Sequence, residues 1–271
     1  MNTLALVYGT AWKKERTADL VELALSTGFR GIDTACQPRH YNEVGVGEGL
    51  SRAYGSGHKR EKIFIQSKYT PEDGQDPETI PYDPRASYAE QVQTSLKVSL
   101  KNLRTDYLDS WVLHSPLSSW KDLTDVWGAM SQAVEDGRVK QIGISNCYDY
   151  DLFVRLFNYA EVKPRVLQNR FYRKSGFDVG LREFCRENNV VYQSFWTLTA
   201  NPELLLSETM TVLSQKYHRT PVQILFRALH QLGVQPLTGT TSKDHMQEDL
   251  QIETFVLENG DLQSLRALGP F

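Results

Sequence analysis

Apolar residues along the chain fall in short runs, separated by longer stretches that carry them three or four positions apart. Leu4–Val7 is the first such run, and Thr17–Thr27 follows with Leu20/Ala24 and Val21/Leu25 at helical spacing and Gly28 as a stop. The alternation repeats to the end. Further strands are predicted at Gly31–Asp33, Ile63–Ser67, Asp109–Leu113, Gln141–Ile144, Val166–Gln168, Val190–Phe195 and Gln235–Leu237. Between them, helices are predicted at Asn42–Tyr54, along Val92/Leu96/Leu100/Leu103 and along Leu123/Trp127/Met130/Val134. More follow at Asp151–Tyr159, Leu181–Asn188, Pro202–His218, Pro221–Gln231, Ser242–Leu250 and Gly260–Leu268.

Eight strand-then-helix units without a break in composition predict a single (β/α)8 TIM barrel over residues 1–271, an α/β fold, rather than an open doubly wound sheet. At 40% hydrophobic residues and 271 residues, a core large enough for such a barrel is feasible. A net charge of −3 argues against general nucleic-acid binding. No apolar run approaches the roughly 20 residues of a membrane helix, and Met1–Tyr8 does not read as a signal peptide. Cys36, Cys147 and Cys185 are odd in number and widely spaced, which fits a reducing compartment and predicts a cytoplasmic chain. The six histidines form no ligand-spaced cluster, so no metal is expected, and Asp149 and Asp151 read as a helix start. Gly45, Gly47 and Gly49 lack the strand–turn–helix setting of a phosphate loop and read as small residues for close helix packing.

In a barrel of this kind, function sits on the loops after the strands. Asp33 ends the second strand, Tyr41 lies in the loop beyond it, Lys68 ends the third and His114 the fourth. Adjacent strands bring the four together. A phenol titrates near 10, and a nearby ammonium stabilises its phenolate. The carboxylate fixes the ammonium, and the histidine orients a substrate oxygen, so Tyr41 could protonate an alkoxide as hydride reaches carbon. Taken singly, each residue also fits a structural role: an ordinary barrel ion pair, a packed loop aromatic, a satisfied histidine.

The chain resembles the aldo-keto reductase superfamily in Gly28-Phe-Arg-Gly-Ile-Asp-Thr-Ala35, Tyr41-Asn-Glu43 with Val46-Gly47, Ile63–Lys68, Asp106–Asp109 through His114-Ser-Pro116, and Gly137–Asn146. The motifs come in the family's order and cover most of the chain. The resemblance implies reduction of an aldehyde or ketone, or an imine, by NADPH (NADH possible), with the tetrad Asp33, Tyr41, Lys68 and His114. It also implies cofactor contacts at Thr10 and Asp33, carboxamide contacts at Ser145, Asn146 and Gln168, and adenosine-end contacts over Leu237, Gly239, Thr240, Thr241, Ser242, His245, Glu248 and Asp249. A small-molecule carbonyl substrate is the expected partner; oligomeric state is not readable. The rival reading is a catalytically silent nicotinamide-binding regulatory subunit on the same barrel.

Three departures from the family pattern stand out. The stretch Cys36-Gln-Pro-Arg-His40 is longer than usual and must bulge to place Tyr41, with His40 as the substitute donor. Where many members stack a tyrosine on nicotinamide, this chain reads Ser194, Phe195, Trp196, then Leu198. The lysine and arginine that usually hold a 2′-phosphate are not evident, leaving Thr240, Thr241, Ser242, Lys243 and His245 as donors. Trp12, Tyr69, Trp120 and Trp196 are the expected walls of an aromatic substrate pocket.

Overall fold

The computed structural model describes residues 4–269. Eight parallel strands close into a barrel in sequence order: β1 (Val7–Gly9), β2 (Gly31–Asp33), β3 (Phe64–Tyr69), β4 (Ser110–Leu113), β5 (Ile142–Ser145), β6 (Val166–Arg170), β7 (Val191–Phe195) and β8 (Val234–Thr238). The outer layer begins with α1 (Thr17–Thr27), α2 (Glu43–Gly55), α3 (Tyr88–Leu103), α4 (Trp120–Glu135) and α5 (Tyr150–Tyr159). It continues with α6 (Val179–Glu187), α7 (Pro202–Leu205), α8 (Glu208–Tyr217), α9 (Pro221–Gln231), α10 (Lys243–Leu250) and α11 (Asn259–Arg266). The expected TIM barrel is therefore the observed fold. Among the described residues, no helix is long and apolar enough to cross a membrane.

Local chemistry sets the helix ends. Ser87 and Glu90 form a reciprocal capping box at α3, and Thr220 and Gln223 another at α9, where Pro221 occupies the first turn. Asp149 caps α5 by accepting from the Leu152 N–H, the helix start the sequence suggests. The stretch Pro202–His218 is two helices rather than one, because Ser207 takes an extended conformation and caps α8 through the Met210 N–H.

α2 is clamped between its neighbours by its glycines. A Cβ at Gly47 would stand 2.0 Å from the Asn102 carbonyl oxygen of α3, and one at Gly49 would stand 2.6 Å from the Ala18 carbonyl oxygen of α1. The close-packing reading of these residues is the observed one. It matters for the site, because α2 begins two residues after Tyr41.

Strand ends differ from expectation in ways that carry consequences. β1 is Val7–Gly9 rather than Leu4–Val7, β3 runs to Tyr69 and β6 to Arg170. Side chains alternate along a strand, so parity decides which residues face the lumen. Asp33, Gln66, Gln168, Gln193 and Gln235 face inward and bond to one another. The residues between them, such as Ser67, Tyr192 and Thr238, reach outward to Glu43, Asp178 and Asp249.

Candidate active site

The lumen below the mouth is a lattice of amides. The Gln66 amide nitrogen donates to Asp33 Oδ1 at 2.7 Å and to Gln193 Oε1 at 2.7 Å. The Gln168 amide nitrogen donates to the same two acceptors at 3.0 and 2.9 Å. Gln193 passes the chain on to Gln235 at 2.8 Å, and Gln235 donates to the Leu4 carbonyl at 2.6 Å. Gln66 Oε1 is buried without a donor. A lumen of this polarity is viable because nearly every group in it is paired.

Asp33 is the anchor of the site. Its Oδ1 accepts from Gln66, Gln168 and Lys68, and its Oδ2 accepts from Lys68 at 2.7 Å. Thr10, fully buried, donates its N–H and its hydroxyl to the Asp33 carbonyl at 3.0 and 2.9 Å. Lys68 is buried and gives its remaining contact to the Thr34 carbonyl at 2.8 Å. An ammonium has three N–H groups, and acceptors on Asp33 and Thr34 take them all.

Tyr41 lies above this pair. Lys68 Nζ is 5.2 Å from the centre of its ring, and the His114 ring centre is 6.0 Å away. The tetrad therefore converges. Its electrostatics differ from the expectation, however. Burial pushes the Tyr41 phenol up, and the Asp33 carboxylate adds to that. Lys68 does not pull it down, since its charge is matched at contact by Asp33 and its N–H groups are engaged. The phenol is thus held as a neutral proton carrier rather than poised as phenolate.

His114 is held neutral, its pKa pushed well down by burial, by the Lys68 ammonium and by His40. Its Nδ1 lies 2.7 Å from the Thr70 hydroxyl oxygen. That hydroxyl has no other polar partner among the described residues. The arrangement that satisfies both groups has Thr70 donating to Nδ1, which leaves the proton on Nε2. His114 then carries its N–H on Nε2, available as a hydrogen-bond donor. Thr70→Val should release the ring to either tautomer and lower kcat by about tenfold, with Thr70→Ser restoring it, as steady-state assays of both variants will read.

The loop before Tyr41 is braced by the loop that follows β3. The Gln37 amide nitrogen donates to the Gly74 carbonyl at 2.5 Å, while Gln37 Oε1 meets His40 Nδ1 at 2.9 Å. Gln75 donates to the Cys36 carbonyl at 2.9 Å, and the Trp12 N–H donates to the His40 carbonyl at 2.8 Å. Behind Tyr41, buried Glu43 accepts from Ser67, Ser99 and Asn102, and burial pushes its carboxyl up. Thr70, Gln66, Gln193 and Gln235 are not singled out in the sequence, and Glu43 enters there only as part of the motif that follows Tyr41. Each looks there like an ordinary polar residue beside a strand.

The other expected contacts divide by parity. Ser145 donates to the Gln168 carbonyl at 2.6 Å, and Asn146, at φ 53°, donates to the His114 carbonyl at 2.9 Å. Both stand on the strand-five rim, but Gln168 turns its amide nitrogen into the lumen. Leu237 is half-buried at the end of β8. Beyond it Gly239, Thr240, Thr241 and Ser242 form the approach to α10, which Ser242 caps through the His245 N–H. Thr240 Oγ1 and His245 Nδ1 are 3.5 Å apart, and the Lys13 ammonium crosses from the β1 loop to the Gly239 carbonyl. Glu248 is half-buried, and its carbonyl accepts from Gln223 at 2.8 Å.

Four expectations need correction. Tyr69 is no pocket wall: one residue past Lys68 in β3, it faces the helices, is fully buried, and donates to Gln91 at 3.1 Å. Ser194 faces the helical side of β7 and accepts from Thr197 at 2.9 Å, so Phe195 and exposed Trp196 line the rim instead, with Leu198 packed against the core. Trp120 stacks in the outer layer on α5, its ring 3.8 Å from the Arg155 guanidinium and 5.4 Å from the Tyr159 ring. Trp12, by contrast, is 57% exposed and leans on the His40 ring at 4.1 Å. Asp249 is 3% exposed, accepts from Thr238 at 2.7 Å, and is closed off between β8 and α10.

Burial pushes the Asp249 carboxyl up to about 6. The folded state then holds this proton more tightly than the unfolded chain, whose Asp titrates near 3.9. Stability from this group is present at low pH and declines as pH rises between about 4 and 6. Asp249→Asn should flatten that decline by about 3 kcal/mol relative to the parent, in urea unfolding across pH 4–7.

A buried carboxylate–ammonium pair under a neutral phenol and a neutral imidazole, at the open end of a TIM barrel, is an arrangement able to donate a proton. Residues 3–269 match the model of the aldo/keto reductase family. The chain is 31% identical over 275 residues to the NAD/NADP-dependent indole-3-acetaldehyde reductase of Schizosaccharomyces pombe, covering 96% of this chain and 89% of that one. It is 30% identical over 249 residues to the glyoxal reductase of Bacillus subtilis, covering 92% and 82%. The crystal structure of an aldo/keto reductase from Brucella melitensis superposes with a TM-score of 0.81 at 27% identity, covering 97% of this chain and 94% of the other. The chain belongs to the aldo/keto reductase family, whose members carry out nicotinamide-dependent carbonyl reduction.

Proposed function

We propose that this protein reduces an aldehyde or ketone with NADPH, Tyr41 supplying the proton and His114 orienting the carbonyl oxygen. The observation that carries the reading is the meeting of the Tyr41 ring with Lys68 Nζ at 5.2 Å and the His114 ring at 6.0 Å. The cofactor, when bound, supplies the hydride.

The residues at the mouth suit a dinucleotide. Ser145 and Asn146 offer polar groups on the β5 rim, Trp12 and Trp196 present exposed ring faces, and Lys13 with the Ser242-capped start of α10 offers positive charge for phosphates. In the reaction, the His114 Nε2–H holds the carbonyl oxygen. As charge develops on that oxygen, the Tyr41 hydroxyl delivers its proton there. An alkoxide is a stronger base than a phenolate, so donation needs no lowered phenol pKa. Asp33 and Lys68 fix the floor of the site, and the lumen lattice fixes Asp33.

The test is a titration of intrinsic fluorescence with NADPH and NADH, followed by turnover against a panel of aromatic aldehydes and ketones. Saturable NADPH binding with turnover is expected. Binding without turnover across the panel would support a silent regulatory subunit instead.

A further inference from the structure

Among the described residues, Arg170 stands at the barrel mouth without a counter-charge. β6 alternates sides, so Gln168 reaches into the lumen, Asn169 turns outward to Asp178 at 2.7 Å, and Arg170 returns to the inner side at the rim. Arg170 is in register with Phe195 on β7. Its guanidinium lies 4.1 Å from the centre of the Trp196 ring and 5.5 Å from that of Tyr172. Among the described residues, no carboxylate pairs with it and no acceptor takes its N–H groups. Its Nε is shielded from solvent and still without a partner. Arg60, by comparison, meets Asp109, Thr105 and two backbone carbonyls.

The fork is also held in place. The Arg170 N–H donates to the Tyr148 hydroxyl at 3.1 Å, and that hydroxyl donates to Asn146 Oδ1 at 3.3 Å. Asn146 donates in turn to the His114 carbonyl at 2.9 Å. A short run of hydrogen bonds thus ties the Arg170 backbone to the backbone of the orienting histidine. Trp196, 51% exposed and at φ 55°, is kept under the guanidinium in a conformation that a bulky residue rarely adopts. A guanidinium stacked on rings keeps its donor edge free, and that edge matches paired anionic oxygens.

We propose that Arg170 is an anion receptor at the barrel mouth, taking a carboxylate or phosphate. The source the position favours is the carbonyl substrate, which makes acidic aldehydes or keto compounds the preferred class; this rests on the carbonyl-reductase reading. The second source of the same chemistry is a phosphate of the dinucleotide.

The experiment compares 4-carboxybenzaldehyde with 4-methylbenzaldehyde in the unmodified enzyme, Arg170→Met and Arg170→Lys, with NADPH affinity measured in each by fluorescence. For a substrate anion, Arg170→Met raises KM for the carboxylated aldehyde by about tenfold or more, leaves the methyl analogue within about twofold, and leaves NADPH affinity unchanged. Arg170→Lys falls between, since it keeps the charge but not the fork. If the anion belongs to the dinucleotide, Arg170→Met weakens NADPH by a similar factor and affects both aldehydes alike. No change in either measurement overturns the receptor.

A second measurement needs neither a variant nor turnover. Benzoate and inorganic pyrophosphate are titrated against the unmodified protein, with tryptophan fluorescence as readout and benzamide as the neutral control. Saturable quenching by either anion, weakened by added salt, supports the receptor, and its absence with both overturns it. Should the unmodified protein bind anions yet reduce neither aldehyde, the reductase reading fails while the receptor stands.

Discussion

Tyr41→Phe is expected to reduce carbonyl substrates about 10²–10⁴-fold more slowly than the unmodified enzyme, with NADPH affinity within about twofold. The change removes only a hydroxyl, from a ring already positioned by α2 and the braced loop before it, so folding should be unaffected. The pH profile gives a second reading. Burial and Asp33 hold the phenol protonated, and burial with Lys68 and His40 holds His114 neutral. Neither group titrates between pH 6 and 9 in the free enzyme, so kcat/KM for reduction should be flat there. Alcohol oxidation needs the phenolate as base and should climb with pH over the same interval. A Tyr41→Phe enzyme with unaltered kcat in both directions would remove Tyr41 from the mechanism, and His40 would then be the next residue to replace.

The largest stability effect is expected at Asp33. Asp33→Ala leaves a buried ammonium facing only amides and one carbonyl, which should cost about 3–5 kcal/mol in urea unfolding and abolish turnover together. Two variants separate charge from packing. Lys68→Met alone strands the carboxylate and should cost a similar amount. The double variant Asp33→Leu/Lys68→Met removes both charges and should recover most of the stability with none of the activity. If the double variant is as unstable as either single one, packing and hydrogen bonds with Gln66 and Gln168, rather than the ion pair, set the stability of this layer.

The barrel was legible because its strand and helix periods alternate without interruption, and the tetrad because a polar residue at the end of a buried strand is conspicuous. Tyr41 could be placed through the Asn-Glu that follows it, which caps and opens α2. What sequence spacing could not supply was parity. A strand one or two residues longer than its apolar run carries its last side chains to sides that the run does not reveal. Tyr69 faces outward and Arg170 inward for that reason. Ser194 lies inside the predicted strand and faces outward because it is one residue past inward-facing Gln193; only the family's stacking position pointed to it. Gln66, Gln193 and Gln235 are inconspicuous for a different reason. An amide inside a short strand reads as a flaw in a hydrophobic pattern until its partners on other strands are known. Thr70 is of the same kind, since its role exists only through the imidazole beside it.

Because the lumen is joined by hydrogen bonds from Leu4 at the base to Asp33 under the mouth, it behaves as one unit for anyone redesigning the enzyme. Swapping a single glutamine for an aliphatic side chain, the usual route to a tighter core, would strand the amides on either side of it. Thermostable versions of this barrel will have to be sought in the helical shell, or by exchanging the whole central layer in one step.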